Sequence, residues 1–278
     1  MKRYKVVTFD FDSRPSLFRM ETKDSWEEKV KELHKKNKEK LFQDLINQFG
    51  SYGKEKKSEN FVDLGDKPVS ILAYHNRFLD QIRQAFVIGA YYPALVASCT
   101  LGERILNHLI IALKEDYRTS PAYKKVYAKN SIDDWLKAIS ALESWKVLLP
   151  NVAKSFVALK KIRDKVVHFD TNVDTNDRLL ALEAIIKLQS IIGEQFSAFG
   201  PQPWFITGVP GEIYIKKDYE SNPFIKRVYL PNCYLVGPYH ATRTDVQGHF
   251  IIKDDYHYEE KEIPDDEFVA LRKKGKRL

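Results

Sequence analysis

Cysteine is scarce in this chain: two in 278 residues, Cys99 and Cys233, far apart. They match no zinc-ligand spacing, which argues against a disulfide scaffold and against a structural zinc site. Glycine and proline number 12 each, too few for a collagen-like or low-complexity chain. Long apolar runs are also rare. The uncharged stretch Ala85 to Gly102 covers 18 residues, about the minimum for a membrane span. It carries Pro93 at its centre, with Tyr91, Tyr92, Ser98, Cys99 and Thr100, and Arg83 and Glu103 close it on either side. Two buried helix ends meeting at a proline explain it better than a span. The first ten residues are basic but lack the apolar stretch and small-residue cleavage site of a secretory leader. The expectation is a soluble cytoplasmic protein that does not enter a membrane.

What the chain does contain is enough apolar matter for a core: 44% hydrophobic residues, 13% of the total aromatic. A disordered chain has the opposite signature. The length allows one large domain or a core with appendages. Basic residues outnumber acidic ones 45 to 38, for a net charge of +7. Most of that surplus falls between residues 67 and 200, where polyanion binding is most plausible.

Local patterns divide the chain into three regions. Residues 4–11 are β-branched and aromatic and read as a strand. Residues 24–49 carry apolar positions at helical spacing, and a Lys/Glu-rich surface linker runs from there to residue 67. Helical periodicity dominates next, over 69–90, 93–115, 131–148, 151–169 and from 174–177 to about 199, with a longer basic loop at 116–130. Five such helices make an antiparallel bundle. Beyond Phe199-Gly-Pro-Gln-Pro-Trp204 come short β-like runs at 212–216, 224–230, 234–236 and 249–253, then a short helix near 265–273 and a basic tail. The predicted fold is therefore mainly α: an N-terminal strand-and-helix extension (1–66), a helical bundle (67–200) and a small β-rich C-terminal appendage (201–278).

The segment richest in chemistry is Leu159-Lys-Lys-Ile-Arg163-Asp164-Lys-Val-Val-His168-Phe169. Asp164 and His168 are four apart, so on a helix the carboxylate can hydrogen-bond and orient the imidazole. Lys161 and Lys165 share that face, and Lys154, Lys160 and Arg163 add positive charge nearby. A histidine in a positive field beside one carboxylate suits work on a phosphodiester. Arg163 and His168 are five apart, about 140° and ~7.5 Å of rise on an ideal helix, so they diverge unless the helix loosens. A two-fold dimer would remove the difficulty by building a composite site across its axis. The plain alternative is a solvated helix face with an ordinary Asp164–His168 pair.

Arg163-x-x-x-x-His168, with a polar residue directly after the arginine, resembles the Arg-x(4–6)-His motif of the HEPN superfamily. The setting is similar too: a helical bundle with the motif at the end of the penultimate helix and a long helix after it. Gly89-Ala-Tyr-Tyr-Pro93 through Glu103 resembles an early helix of that bundle, and the likeness covers about residues 69–199. It implies a metal-independent endoribonuclease of the toxin or anti-phage defence type, with no cofactor. His168 would serve as general acid or base, and Arg163 would hold the phosphate oxygens. Asp164 would orient His168, Lys161 and Lys165 would bind RNA, and Glu103 would supply a polar group near the site. The implied partners are RNA, a second subunit, and an antitoxin or defence-system protein. The family's non-catalytic members imply an alternative, a module that dimerises and binds nucleotide, RNA or protein.

Other constellations are weaker. Val-Val-Thr-Phe-Asp10-Phe-Asp12 resembles the Asp-x-Asp motif of haloacid dehalogenase-type phosphatases, but the alternating β/α pattern of that fold is missing. A strand that packs on the C-terminal appendage is the simpler account. His240, His249 and His257, with Asp254 and Asp255, have no ligand spacing and read as scattered surface histidines. Trp204, Tyr214, Tyr229, Tyr234 and Tyr239 could stack bases, although in a small β-module most aromatics form the core.

Overall fold

The computed structural model describes residues 1–7, 10–128, 131–167, 172–247 and 250–275. The chain forms two compact units, Asp10–Phe196 and Met1–Phe9 with Ser197–Leu278. It is mainly α-helical, with a strand before the helices and a small β-sheet after them.

The larger unit is a helical bundle. Its helices are α1 (Arg14–Arg19), α2 (Glu28–Phe49), α3 (Lys54–Asp63), α4 (Ala73–Val87), α5 (Tyr91–Leu113), α6 (Tyr123–Val126), α7 (Trp135–Ser144), α8 (Pro150–Val167) and α9 (Asn172–Gln195). Helix α5 is the axis, packed on α4, α7, α8 and α9. Its buried side chains, Leu95, Cys99, Leu106, Leu109, Ile110 and Leu113 among them, cover more than one face, as expected of a helix enclosed by others. By length and composition α5 could cross a membrane, and 56% of its apolar window is buried inside the protein. The uncharged stretch 85–102 divides between α4 and α5. Gly89 makes the turn at φ +88°, a conformation that a Cβ disfavours. Pro93 falls in the first turn of α5, where its missing N–H costs nothing.

Helix α3 lies in the stretch expected to be a linker. Its lysines and glutamates hide two anchors: Asn60 and Phe61 are buried. The Asn60 amide donates to the carbonyls of Phe86 and Val87, both at 3.2 Å, at the end of α4. Helix α9 is interrupted at Asn176 (φ −126°, ψ 23°). Just beyond the break, Arg178 donates to Asn60 Oδ1 (3.0 Å) and Asp63 Oδ2 (2.6 Å), tying α9 to α3. Ala181, Ala184, Ile185, Leu188, Ile191 and Ile192 then form the stripe that α9 buries.

The smaller unit holds an antiparallel sheet in the order β2-β3-β1-β4, with β1 at Arg3–Val6, β2 at Phe205–Ile206, β3 at Ile213–Ile215 and β4 at Cys233–Val236. The first strand pairs with β3 and β4 (Lys5↔Tyr214, Tyr4↔Leu235), so it packs within the C-terminal sheet as the simpler account supposed. Residues 1–66 are thus shared: β1 belongs to this unit, and α1 to α3 belong to the bundle. A hairpin of β5 (Ala241–Thr244) and β6 (Phe250–Lys253) and the helix α10 (Asp265–Gly275) complete it. Phe268 of α10 meets Tyr214 edge-on at 5.0 Å within a core that includes Ile206, Val236 and Ile263.

Residues 224–230, expected as a strand, instead form a π-type turn at Ile225–Tyr229. Phe224, Ile225, Val228 and Tyr229 are buried at helical spacing, and Asn222 Oδ1 accepts from the backbone N–H groups of Phe224 and Ile225. That capping contact commits the segment to a coil.

Candidate active site

Helix α8 begins at Pro150, a residue suited to a first helical turn. Val152, Ala153, Phe156, Leu159 and Ile162 turn inward, while Lys154, Lys161 and Lys165 are exposed. Arg163 and Asp164 fall near the C-terminal end of the helix, half-buried on the border between those faces.

Their neighbour across the interface is set by a glycine. A Cβ at Gly102 of α5 would stand 2.6 Å from Leu159 Cδ2 and 2.9 Å from the Trp135 ring. Only hydrogen at that position allows α5, α7 and α8 to approach so closely. The next residue, Glu103, therefore meets both partners: its Oε2 accepts from Trp135 Nε1 at 3.0 Å and lies 3.5 Å from Arg163 Nη2. Arg163 Nη1 is in turn 3.4 Å from Asp164 Oδ1, and Lys160 donates to Asp164 Oδ2. The result is a continuous chain of groups, Trp135, Glu103, Arg163, Asp164 and Lys160.

The hydrogen bond from Lys160 is the largest influence on the Asp164 carboxyl. Partial burial opposes it and Arg163 adds to it, and the group is held below the usual carboxylate range. The two contacts of Arg163 are long, and its side chain remains 25% exposed. Exposed and half-exposed pairs of this kind are worth about 0–1 kcal/mol, so an incoming phosphate oxygen can compete for the guanidinium. One turn earlier on α5, burial pushes the Cys99 thiol up to about 12, against the pull of the Arg163 charge. Cys99 is therefore a core thiol and not a nucleophile.

His168 lies outside the described residues, so its pairing with Asp164 does too. Of the residues expected from sequence, Arg163, Asp164 and Glu103 come together, and Lys161 and Lys165 stand exposed on the same helix. Lys160 was expected only as nearby positive charge and not as a partner of Asp164, and Trp135 was not anticipated in this group. Lys160 had a signal, its i,i+4 spacing to Asp164; Trp135 had none, because it arrives from another helix.

The remaining constellations resolve differently. Asp12 is closed off by Arg14, which donates from Nε (2.9 Å), Nη2 (2.7 Å) and its backbone N–H (3.1 Å), while Asp10 is paired with Lys67 and half-exposed. His240 is not a surface histidine: it is 2% exposed. Its Nδ1 donates to the Gly237 carbonyl at 2.7 Å and its Nε2 accepts from Lys5 Nζ at 2.9 Å. Glu212 gathers Lys5, Tyr214 and Arg272 around the same point. Asp254 serves the Gly237 N–H and the Tyr258 hydroxyl, and His249 lies outside the described residues. Trp204, Tyr214 and Tyr229 are buried core rings; Tyr234 is exposed, and Tyr239 is half-buried and stacked on Tyr258. Among the described residues, no three His, Cys, Asp or Glu side chains converge as metal ligands.

No protein-family model, curated protein or solved structure matches this chain significantly.

Proposed function

We propose that this protein is a HEPN-type, metal-independent endoribonuclease. In this reading it acts in the cytoplasm as a toxin or anti-phage defence effector and works as a homodimer. The observation that carries the reading is Arg163, half-exposed near the C-terminal end of α8, held by long contacts to Glu103 and Asp164. Exposed Lys161 and Lys165 flank it, and the long helix α9 follows, the order that the Arg-x4-His resemblance requires.

The chemistry follows from the residues. His168 takes the proton of the 2′-OH as it attacks the adjacent phosphorus, or gives one to the departing 5′-oxygen. Arg163 exchanges its carboxylate contacts for the non-bridging oxygens, where charge gathers in the transition state. Asp164 orients His168, and Lys161 and Lys165 hold the flanking phosphates. The bond to the 5′-oxygen breaks, leaving a 2′,3′-cyclic phosphate and a 5′-hydroxyl. A two-fold partner contributes the second half of a composite site, and an antitoxin or defence-system protein would restrain it.

A second reading rests on the same arginine. Two carboxylates already offset its charge, which suits a non-catalytic module that dimerises and binds nucleotide, RNA or a partner protein. Expression in a bacterial host separates the two. The nuclease reading predicts toxicity that Arg163→Ala relieves; equal toxicity of both forms favours the module.

A further inference from the structure

A cleft of about 470 Å³ opens in the helical unit between the segment preceding α1 and helix α4. That volume falls in the ~300–1,000 Å³ range of small-molecule sites. At its heart is Lys67, whose side chain is only 5% exposed. The strand-like approach of the chain holds it there: the Lys67 N–H donates to the Asp12 carbonyl at 2.9 Å. Its ammonium donates to Asp80 Oδ1 at 2.9 Å and to Asp10 Oδ1. An ammonium has three N–H groups, so one is left over in a nearly buried position on the cleft wall.

The two carboxylates are only partly used. Asp10 is 50% exposed and Asp80 41%, and each keeps its second oxygen uncommitted. The other charges are closed. Asp12 is chelated by Arg14, and Arg83 is buried against the carbonyls of Leu64 and Gly65 and the Gln189 amide. Among the charged groups, one donor and the acceptors on either side of it are thus open to a ligand, with the neutral side chains of Ser13, Gln48 and Gln84 also lining the cleft. An anion would meet Asp10 and Asp80; a cation would meet Lys67, with Arg14 and Arg83 behind it. A pair of neutral hydroxyls fits all three groups, each donating to a carboxylate and one accepting from Lys67. Beside them Phe11, 57% exposed, presents an aromatic face at the rim, with Phe49 and Phe61 in the walls.

We propose that this cleft binds a neutral vicinal diol carried on a ring, as in a ribonucleoside or a hexose, with Asp10, Lys67 and Asp80 holding the diol and Phe11 covering the ring. The site is separate from Arg163, and its test reads binding and not RNA cleavage. Calorimetric titration of the full chain with adenosine, 2′-deoxyadenosine and methyl galactoside distinguishes the sources. Saturation by adenosine but not by the deoxy form assigns a ribonucleoside site, and saturation by the galactoside alone assigns a sugar site. Asp80→Asn weakens binding about tenfold or more, the scale of one charge-assisted hydrogen bond. Phe11→Ala, a surface change that leaves the fold intact, weakens it roughly three- to tenfold. The proposal is overturned if neither ring diol saturates the folded protein at millimolar concentration. It is equally overturned if 2′-deoxyadenosine binds as well as adenosine with no galactoside binding, or if Phe11→Ala and a folded Asp80→Asn bind like the wild type.

Discussion

The carboxylate of Glu103 receives the indole N–H of Trp135 and faces the guanidinium of Arg163 with the same oxygen. One buried ring on α7 therefore fixes a half-exposed acid on α5, which in turn aims an arginine on α8. Trp135→Phe keeps an aromatic ring, removes the donor and leaves a cavity where the second ring packed beside Gly102. The expected result is a stability loss of about 1–3 kcal/mol; under the proposed nuclease function, kcat falls more than RNA affinity, because Arg163 stays present but is less well held. A fall in stability with unchanged kcat would reduce Trp135 to packing alone.

Removing the acid has the opposite effect on binding. Glu103→Gln leaves a hydrogen-bonding group for Trp135 and deletes one of two negative charges beside Arg163. Under the proposed nuclease function, RNA affinity, read by fluorescence anisotropy at low salt, rises several-fold, and the gain shrinks as salt screens it. Unchanged affinity would mean that Arg163 does not meet the phosphate.

The closeness of α5 to α7 and α8 depends on Gly102. An alanine there puts a methyl 2.6 Å from Leu159 Cδ2 and 2.9 Å from the Trp135 ring, both fully buried. Overpacking of this kind costs about 1–3 kcal/mol. Urea denaturation of Gly102→Ala should show that loss with an unchanged slope. Wild-type stability would contradict the close packing.

Two buried histidines are expected to make the protein acid-sensitive. Burial lowers His240 to about 4, with the nearby Lys5 and Arg272 charges adding to the effect and the Gly237 carbonyl opposing it. Burial likewise lowers His75 to about 3. Unfolded histidine takes up a proton near pH 6.5, so between pH 6.5 and 4 the unfolded chain binds more protons than the folded one. Stability present above pH 6.5 is therefore lost as the pH falls through that window. His240→Gln should be less stable at pH 7, since Lys5 and Gly237 lose a partner, but should show a shallower decline from pH 7 to 5. Parallel declines would show that His240 is not the group responsible.

The long amphipathic segments were legible because apolar spacing alone specifies them. Helices α2, α5 and α8 lie within a few residues of their expected ranges, and the first strand found its place in the C-terminal sheet. What escaped was decided at a distance. Helix α3 is polar along its length and is held by Asn60 and Phe61, whose partners come from other helices. Residues 224–230 have strand-like composition, yet Asn222 caps them into a turn. In the candidate site, Arg163 and Asp164 stood out through their neighbours on one helix. Trp135, and the pairing of Lys67 with both Asp10 and Asp80, depend on contacts that no local spacing encodes.

The most direct test of the nuclease reading is incubation of total cellular RNA with purified wild type and His168→Ala in EDTA, followed by end-group analysis. Cleavage by the wild type alone, leaving 2′,3′-cyclic phosphate or 3′-phosphate and 5′-hydroxyl ends, is the predicted result. Equal cleavage by both proteins, or loss of wild-type cleavage in EDTA, would contradict it.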